Sequence, residues 1–411
     1  MMPTTMLRSA LAGFLVAMLF GGCTAANPPV PKAAVTSPTT SAVSADSVSP
    51  GQQPLNVIPV SGKPYRTLAL KPTTGYSGVV VADDGRIYLS CGVQKQSEAT
   101  GVCMIDPATG SETFLVDPRA DNARLGSVAG NGAWAVYSRL DTPQRVMAIN
   151  TVTKEKVQAG TISAGTTGNP VGLAFAISGS QIVWVDEAET ADKRRVETVM
   201  LFDLEARTNR ALTTLEPAFV VDQIDFDGAT IVWSQVDTSD MANVTSNVYA
   251  YDLASDKLQA LSTNGRASMP QVHDRYVVWK TTATRFAYGS VYLHDLTTGS
   301  GKEVAKADPN ASPVPLGYDM PSIGGKGVTW ISSRNERIEL YHPDTGRVEA
   351  LDQGGGRAFT AGHYLIWVND SVAQKGDWHL LWSDLSAPAR AATVPSGAGG
   401  WYNQRHAQIR F

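Results

Sequence analysis

The sequence is short of charge, of cysteine and of long apolar runs. Only 18% of the 411 residues are charged and the formal net charge is -4, which excludes the basic surface that nucleic-acid binding requires. Three cysteines are too few for a disulfide-rich scaffold. No apolar run reaches the about 20 residues of a membrane-spanning helix. What is abundant, 37 Gly and 23 Pro, is typical of a turn-rich globular chain.

The N-terminus is typical of an export signal. Arg8 precedes an apolar run that ends at Phe20, and two glycines then lead to Cys23. Small residues before a cysteine resemble a bacterial lipobox, although Phe20 stands where leucine is usual. We therefore predict a lipoprotein signal peptide over residues 1–22 and a lipid, palmitate included, on Cys23. A plain secretory signal with an incidental cysteine is the alternative.

Residues 23–55 are predicted to be a disordered tether. From position 24 they hold six Pro, six Ala, five Ser and four Thr, with Lys32 and Asp46 as the only charges. Such a segment cannot bury enough apolar surface to offset the entropy of ordering it. The expected location is therefore outside the cytoplasm, on a bacterial membrane, with Cys23 as the lipid anchor.

The other two cysteines, Cys91 and Cys103, are predicted to form a disulfide. They lie in two apolar runs, GRIYLSC and GVCMIDP, that a short polar segment joins, as in neighbouring strands of a hairpin. An exported protein meets an environment that permits disulfides. The alternative is a pair of buried free thiols. A metal site is not expected, because the spacing lacks His or Cys companions.

The rest of the chain repeats a turn followed by an apolar strand, as in ISGSQIVWV and FDGATIVWS. The turn residues are Gly85, Gly132, Gly179, Gly228, Asp274, Gly325 and Gly362. The intervals between them are 47, 47, 49, 46, 51 and 37 residues. A regular period in this range is typical of repeat architectures.

Each repeat contains more than one strand. A second apolar strand that ends near an aspartate follows each copy, as in NVYAYDL, and a short third element comes next. With the apolar stretch before the turn, every unit holds four short strands. Four strands per unit in seven copies predict an all-β fold, a β-propeller of about seven blades over residues 56–411.

Tryptophans recur at one position of the repeat: Trp184, Trp233, Trp279, Trp330 and Trp367. A sugar-stacking platform is one interpretation of such a stripe. Its regular position favours packing between blades instead, because a blade buries its two faces only against its neighbours.

The chain ends are predicted to close the ring. Residues 56–72 resemble the last two strands of a repeat, and the C-terminal HAQIRF, from His406 to Phe411, resembles the inner strands. The two ends would meet in one blade. They would either complete the seventh blade or form a split eighth one, and both arrangements remove the open edges of the ring.

Units of this form resemble the propeller repeats of the TolB-like family, from about Asn56 to Phe411. The resemblance implies a propeller fold. It leaves the function open, since such propellers serve as binding scaffolds, as gating domains of peptidases and as parts of polysaccharide-degrading enzymes. We expect neither the translocation role of TolB, whose α/β domain is replaced here by the tether, nor the peptidase activity that needs a hydrolase domain.

Motifs for catalysis are hard to find in the sequence. The nucleophile pattern G-x-S-x-G does not occur, and the six histidines are scattered singly. We therefore expect no catalytic residue, no metal and no cofactor. A site assembled around the central channel from several blades stays open as an alternative.

Two polar loops are the candidates for a partner-binding rim. The segment from Asp186 to Glu197 holds eight charges in twelve residues, and Gln235 to Ser246 is long and polar. Because blades present such loops together on one face, we select four residues as partner-binding candidates. They are Asp186, Glu187, Arg194 and Arg195. The alternative is a solvated loop without a partner.

The expected function is that of a lipid-anchored propeller that binds an envelope protein or a surface ligand and catalyses no reaction. Two alternatives remain. One is a glycan-active enzyme with carboxylates and histidines drawn from several blades around the channel. The other is a sensory module for a small ligand, which a largely apolar central pocket would favour.

Overall fold

The computed structural model describes residues 58–59, 65–69, 76–92, 101–117, 124–141, 143–162, 174–240, 243–282, 288–311, 316–333, 337–350, 358–368 and 379–386. Within these ranges every helix or strand is a β-strand. The strands form seven sheets, each with four antiparallel strands in chain order except where the N-terminus contributes. The predicted all-β propeller of seven four-stranded blades is confirmed.

The N-terminal strands are β1 (Ile58–Pro59) and β2 (Tyr65–Ala69). Blade 1 holds β3 (Tyr76–Val81), β4 (Ile87–Cys91), β5 (Gly101–Asp106) and β6 (Ser111–Val116). Blade 2 holds β7 (Leu125–Gly130), β8 (Trp134–Arg139), β9 (Arg145–Asn150) and β10 (Lys156–Thr161). Blade 3 holds β11 (Phe175–Ser178), β12 (Gln181–Glu189), β13 (Arg195–Asp203) and β14 (Thr208–Thr214).

Blade 4 holds β15 (Phe219–Phe226), β16 (Thr230–Asp237), β17 (Thr245–Asp252) and β18 (Lys257–Ala260). Blade 5 holds β19 (Ala267–His273), β20 (Tyr276–Thr281), β21 (Ser290–Asp295) and β22 (Ser300–Ala305). Blade 6 holds β23 (Tyr318–Gly324), β24 (Gly327–Ser332), β25 (Arg337–His342) and β26 (Arg347–Ala350). Blade 7 holds β27 (Ala358–Ala361), β28 (Tyr364–Val368) and β29 (His379–Asp384).

The ring has two faces. We call the face with the turns between the first and second strands of each blade the turn face. The opposite face, with the connections between second and third strands, is the hairpin face. At the turn face Gly362 has a φ of 50°, and a Cβ atom there would lie 2.7 Å from the backbone oxygen of Asp83 in blade 1. Glycine is therefore required where blade 7 meets blade 1.

The N-terminal strand β2 closes the ring. It pairs antiparallel with β29, with Tyr65 opposite Ser383, and so becomes the outer strand of blade 7. The prediction that the N-terminal segment latches the ring is confirmed, with the seventh blade completed and no eighth sheet among the described residues. The predicted C-terminal strand, His406 to Phe411, lies outside the described residues.

The short strand β1 has a defined direction relative to the two faces of the ring. It pairs parallel with β26 at the outer edge of blade 6, with Ile58 opposite Glu349. Strand β26 starts after a turn on the turn face and runs toward the hairpin face, so β1 runs the same way. The N-terminal end of β1, at Ile58, therefore lies toward the turn face.

Apolar cores lie between successive blades, and the repeated tryptophans are part of them. Trp184, Trp233, Trp279, Trp330 and Trp367 are all buried. Trp184 packs in one cluster with Val146 and Ala148 of blade 2, and Trp367 packs with Ile338 and Leu340 of blade 6. The prediction that these residues serve packing between blades is confirmed.

The predicted disulfide between Cys91 and Cys103 is also confirmed. It joins β4 and β5 of blade 1, with Cα atoms 5.9 Å apart. Both cysteines are fully buried in the core that blade 1 shares with Ile366 of blade 7. The bond therefore stabilises the first blade near the point where the ring closes.

Candidate functional site

The hairpin of blade 3 projects from the hairpin face. Strands β12 and β13 have nine residues each, and they stay paired out to Glu189 opposite Arg195. A tight turn follows, in which the backbone N–H of Lys193 donates to the Thr190 carbonyl at 2.8 Å. The predicted loop from Asp186 to Glu197 is therefore wrong as a loop. The strands were not predicted because charged residues interrupt the alternation of apolar and polar residues that usually indicates a strand.

The neighbouring hairpin of blade 4 is also extended. Strands β16 and β17 have eight residues each, and Asp237 lies opposite Thr245. The predicted loop from Gln235 to Ser246 is thus shorter than expected, since both of its ends are strand. The two hairpins belong to neighbouring blades, and we call residues 186–195, 237–240 and 243–245 together the hairpin rim.

A buried carboxylate holds the blade 3 hairpin to blade 4. Glu197 is buried, and its Oε2 accepts a hydrogen bond of 2.6 Å from the backbone N–H of Val221 in blade 4. Arg195 lies 2.5 Å from Glu197 and 2.9 Å from Glu187. Burial raises the pKa of Glu197 and of Glu187, and Arg195 opposes both shifts. Sequence reasoning selected Glu187 and Arg195 but missed Glu197, which contacts both Arg195 and the backbone of blade 4.

The four predicted partner-binding residues therefore fall into two groups. Glu187 and Arg195 belong to the ion pairs that Arg195 makes across β12 and β13, which hold both side chains in place. Arg194 lies at the exposed tip and pairs with Asp192 at 2.5 Å. Asp186 lies on β12, one residue before Glu187. Of these residues, Arg194 is the one that the rim presents most openly to a partner.

The central channel is a large concave feature of the described ring. Its cavity has a volume of about 780 Å³ and opens at the turn face, where the inner strands of all seven blades contribute to its wall. Its lining includes five carboxylates: Asp83, Glu205, Asp225, Asp227 and Asp274. Among the described residues in the lining none is Lys or Arg, and His273 is the other ionisable side chain.

The carboxylate of Asp225 lies in the wall of the channel. Its Oδ2 accepts a hydrogen bond of 2.9 Å from the backbone N–H of Val272 in blade 5. The side chain touches the lumen but is surrounded by the ring on the other sides. Burial raises the pKa of Asp225 to about 6 against the effect of the Val272 hydrogen bond, and Asp227 and Asp83 raise it further.

The next two blades make the same kind of contact with an uncharged side chain in place of a carboxylate. Gln271 of blade 5 accepts a hydrogen bond of 3.1 Å from the Ile323 N–H of blade 6. Ser322 of blade 6 accepts one of 3.0 Å from the Thr360 N–H of blade 7. A polar side chain at this position therefore joins blade 4 to blade 5, blade 5 to blade 6 and blade 6 to blade 7. Only Asp225 does so with an ionisable group.

An ion pair between blades 5 and 6 was also missed by sequence reasoning. Lys280 is buried, and its Nζ lies 2.6 Å from Oδ1 of Asp319. Lys280 directly follows Trp279, where blade 4 has Ser234 after Trp233. A charge in this position of the repeat is the only signal for the pair that the sequence offers.

Metal-ligand clusters and membrane-spanning helices are both absent from the described residues. Over the part of the chain that the structure describes, no three His, Cys, Asp or Glu side chains come together as metal ligands would. The same residues include no helix that is long and apolar enough to span a membrane.

Comparison with known proteins shows what the fold is similar to. No family model and no curated protein matches the sequence. A solved prolyl endopeptidase structure matches with 14% identity and a TM-score of 0.51, over 75% of this chain and 45% of that one. TolB from Acinetobacter baumannii matches with 12% identity and a TM-score of 0.41, over 69% of this chain and 65% of that one.

An oligogalacturonate lyase in complex with manganese matches with 11% identity and a TM-score of 0.44, over 72% of this chain and 77% of that one. The chain therefore spans less than two thirds of the TolB and prolyl endopeptidase chains that it matches. At these identities the likeness concerns the fold alone. The protein is a seven-bladed β-propeller closed by its N-terminal strand, and the predicted propeller fold is confirmed.

Proposed function

We propose that this chain is an exported, lipid-anchored propeller that binds an envelope protein through its hairpin rim and catalyses no reaction. The observation that carries the proposal is the rim itself. Among the described residues, two neighbouring blades have longer middle strands than the other blades and present charged and polar side chains near the tips. Loops and hairpins held on a rigid ring are common sites of protein recognition.

The position of β1 supports this choice of surface. Ile58, the first residue of β1, lies toward the turn face at blade 6, and the rim lies on the opposite face at blades 3 and 4. A tether over residues 23–55, with Cys23 in the membrane, would then attach on the side away from the rim. The rim would stay open to a partner in the envelope.

A charge reversal at the tip tests the partner site. We expect Arg194→Glu to reduce recovery of the partner about tenfold, because a rim charge that meets its complement steers and stabilises association. The measurement is affinity capture of the tagged full chain after mild cross-linking in its native cell.

Arg207→Glu is the matched control for this experiment. Arg207 is on blade 3 but on the turn face, and it pairs with Glu155 at 2.6 Å as Arg194 pairs with Asp192. The proposal requires a partner that the wild type and the control capture equally and that Arg194→Glu loses. Equal capture by all three proteins would rule out the rim.

The lipid anchor has a separate test. Mass spectrometry of the mature N-terminal peptide should find an acylated Cys23, and Cys23→Ala should move the protein from the membrane to the soluble fraction. An unmodified N-terminus at another residue would remove the anchor and leave the rim hypothesis standing.

A further inference from the structure

We propose that the central channel binds an organic ammonium group carried on an apolar body, independently of the hairpin rim. The first argument is the size and shape of the cavity. A volume of about 780 Å³ falls within the range of small-molecule sites, roughly 300–1,000 Å³. The inner strands of seven blades form its wall, so the site exists before any ligand arrives.

The second argument is the charge of the lining. Carboxylates reach the cavity from different blades, with Asp83 on blade 1, Asp225 and Asp227 on blade 4 and Asp274 on blade 5. His273 lies 3.6 Å from Asp274 and is the one group among the described lining residues that can carry a positive charge. A confined cavity with carboxylates and little positive charge attracts cations.

Basic residues next to these turns have other partners. Arg86 lies 3.4 Å from Asp84 and donates to the Gly132 carbonyl at 2.7 Å. Arg275 lies 3.6 Å from Asp295. Lys326 follows the turn of blade 6 and is not part of the cavity lining. The carboxylates in the lumen therefore keep their charge available to a ligand.

The third argument separates an organic cation from a metal ion. Ile177, Ile224 and Phe359 line the same cavity and are each partly exposed. A small hydrated ion gains nothing from these side chains, whereas an apolar body buries them. In addition, the described carboxylates and His273 are too dispersed to form a group of three metal ligands.

Asp225 is the carboxylate that the geometry assigns to the ammonium group. The hydrogen bond from Val272 fixes its side chain in the wall, so a ligand does not have to order it. A charged hydrogen bond in a partly desolvated site is stronger than one in water.

The experiment measures binding of two ammonium probes to the full chain in mild detergent by isothermal titration calorimetry. The probes are 2-phenylethylamine and an acetylated, amidated peptide with one central lysine, and 2-phenylethanol is the neutral analogue. We expect the wild type to bind one of the ammonium probes at millimolar or lower concentration. Asp83→Asn/Asp225→Asn should bind that probe about tenfold or more weakly.

The controls make each outcome decisive. Asp308→Asn removes an exposed carboxylate on the hairpin face, outside the hairpin rim, and should bind like the wild type. Binding of the amine alone identifies a free small molecule as the ligand type, and binding of the peptide alone identifies a protein side chain. The proposal is overturned if neither probe binds, if 2-phenylethanol binds equally well, or if the double variant binds like the wild type. None of these results depends on capture of a partner by the rim.

Discussion

At the scale of single residues, the least predictable feature is what Asp225 does in the ring. In the sequence, Asp225-Phe226-Asp227-Gly228 is typical of a hairpin turn, and Asp227 indeed accepts hydrogen bonds from the turn N–H groups of Ala229 and Thr230. Asp225 instead contacts Val272, 47 residues later. Contacts of this kind depend on how neighbouring blades align, and a local sequence pattern does not predict that alignment.

Asp225→Asn should stabilise the protein at neutral pH. The pKa of Asp225 is raised from 3.8 to about 6, which corresponds to about 3 kcal/mol at most. A carboxyl with a raised pKa keeps its proton in the folded state after the unfolded chain has lost it. The wild type therefore loses stability relative to the variant as the pH rises from about 4 to about 6.

The measurement is the free energy of unfolding from urea titrations between pH 4 and pH 8. Asparagine can still accept the Val272 hydrogen bond, so the difference should be near zero at pH 4 and full above pH 7. Asp227, Asp83, His273 and Asp274 share the cavity and are present in both proteins. A constant difference at every pH would show that ionisation of Asp225 is not its source.

At the scale of elements, the sequence predicts blades well and hairpin lengths poorly. The period and the tryptophans follow from packing that every blade shares, so they recur and are visible. The blade 3 hairpin lacks that regularity, because its outer half has charged residues on both faces. What orders it is the pairing of Glu187 and Glu197 with Arg195 across the two strands.

Arg195→Met should therefore loosen the attachment of blade 3 to blade 4. The change leaves the buried Glu197 carboxylate with the Val221 N–H but without its counter-ion. We expect a loss of about 1–2 kcal/mol, less than the 3–5 kcal/mol of a fully buried pair, because Arg195 is 44% exposed.

Arg194→Met is the control for this prediction, since Arg194 pairs with Asp192 at the exposed tip. It should cost under about 0.5 kcal/mol. Urea unfolding midpoints at neutral pH compare the two variants. Equal losses would mean that Glu197 does not anchor the hairpin.

At the scale of the whole molecule, the sequence predicts that the N-terminal segment closes the ring but does not predict every strand with which that segment pairs. The likeness of residues 56–72 to the end of a repeat predicted that they join a blade, because a seventh unit that lacks its outer strand leaves an open edge. The strand order shows that β2 supplies this strand. The position of β1 on blade 6 could not be predicted, since two residues carry no periodicity.

Deletion of residues 56–72 should lower the stability of the entire ring rather than of one blade. Blade 7 would lose its outer strand, blade 6 would lose β1, and the contact between blades 7 and 1 would no longer be held by the chain N-terminal to blade 1. We expect Tm to fall by about 5 °C or more, with a broader transition, because strand loss at the closure weakens cooperativity.

Deletion of residues 24–55 is the matched control, because it removes a longer segment of the same terminus and spares both strands. It should leave Tm unchanged if that segment is the tether that its composition predicts. Calorimetry of the two deletion variants then distinguishes a segment that closes the ring from a segment that only links the ring to the N-terminus. A normal Tm without residues 56–72 would mean that packing between blades closes the ring unaided, and that β2 only covers an edge.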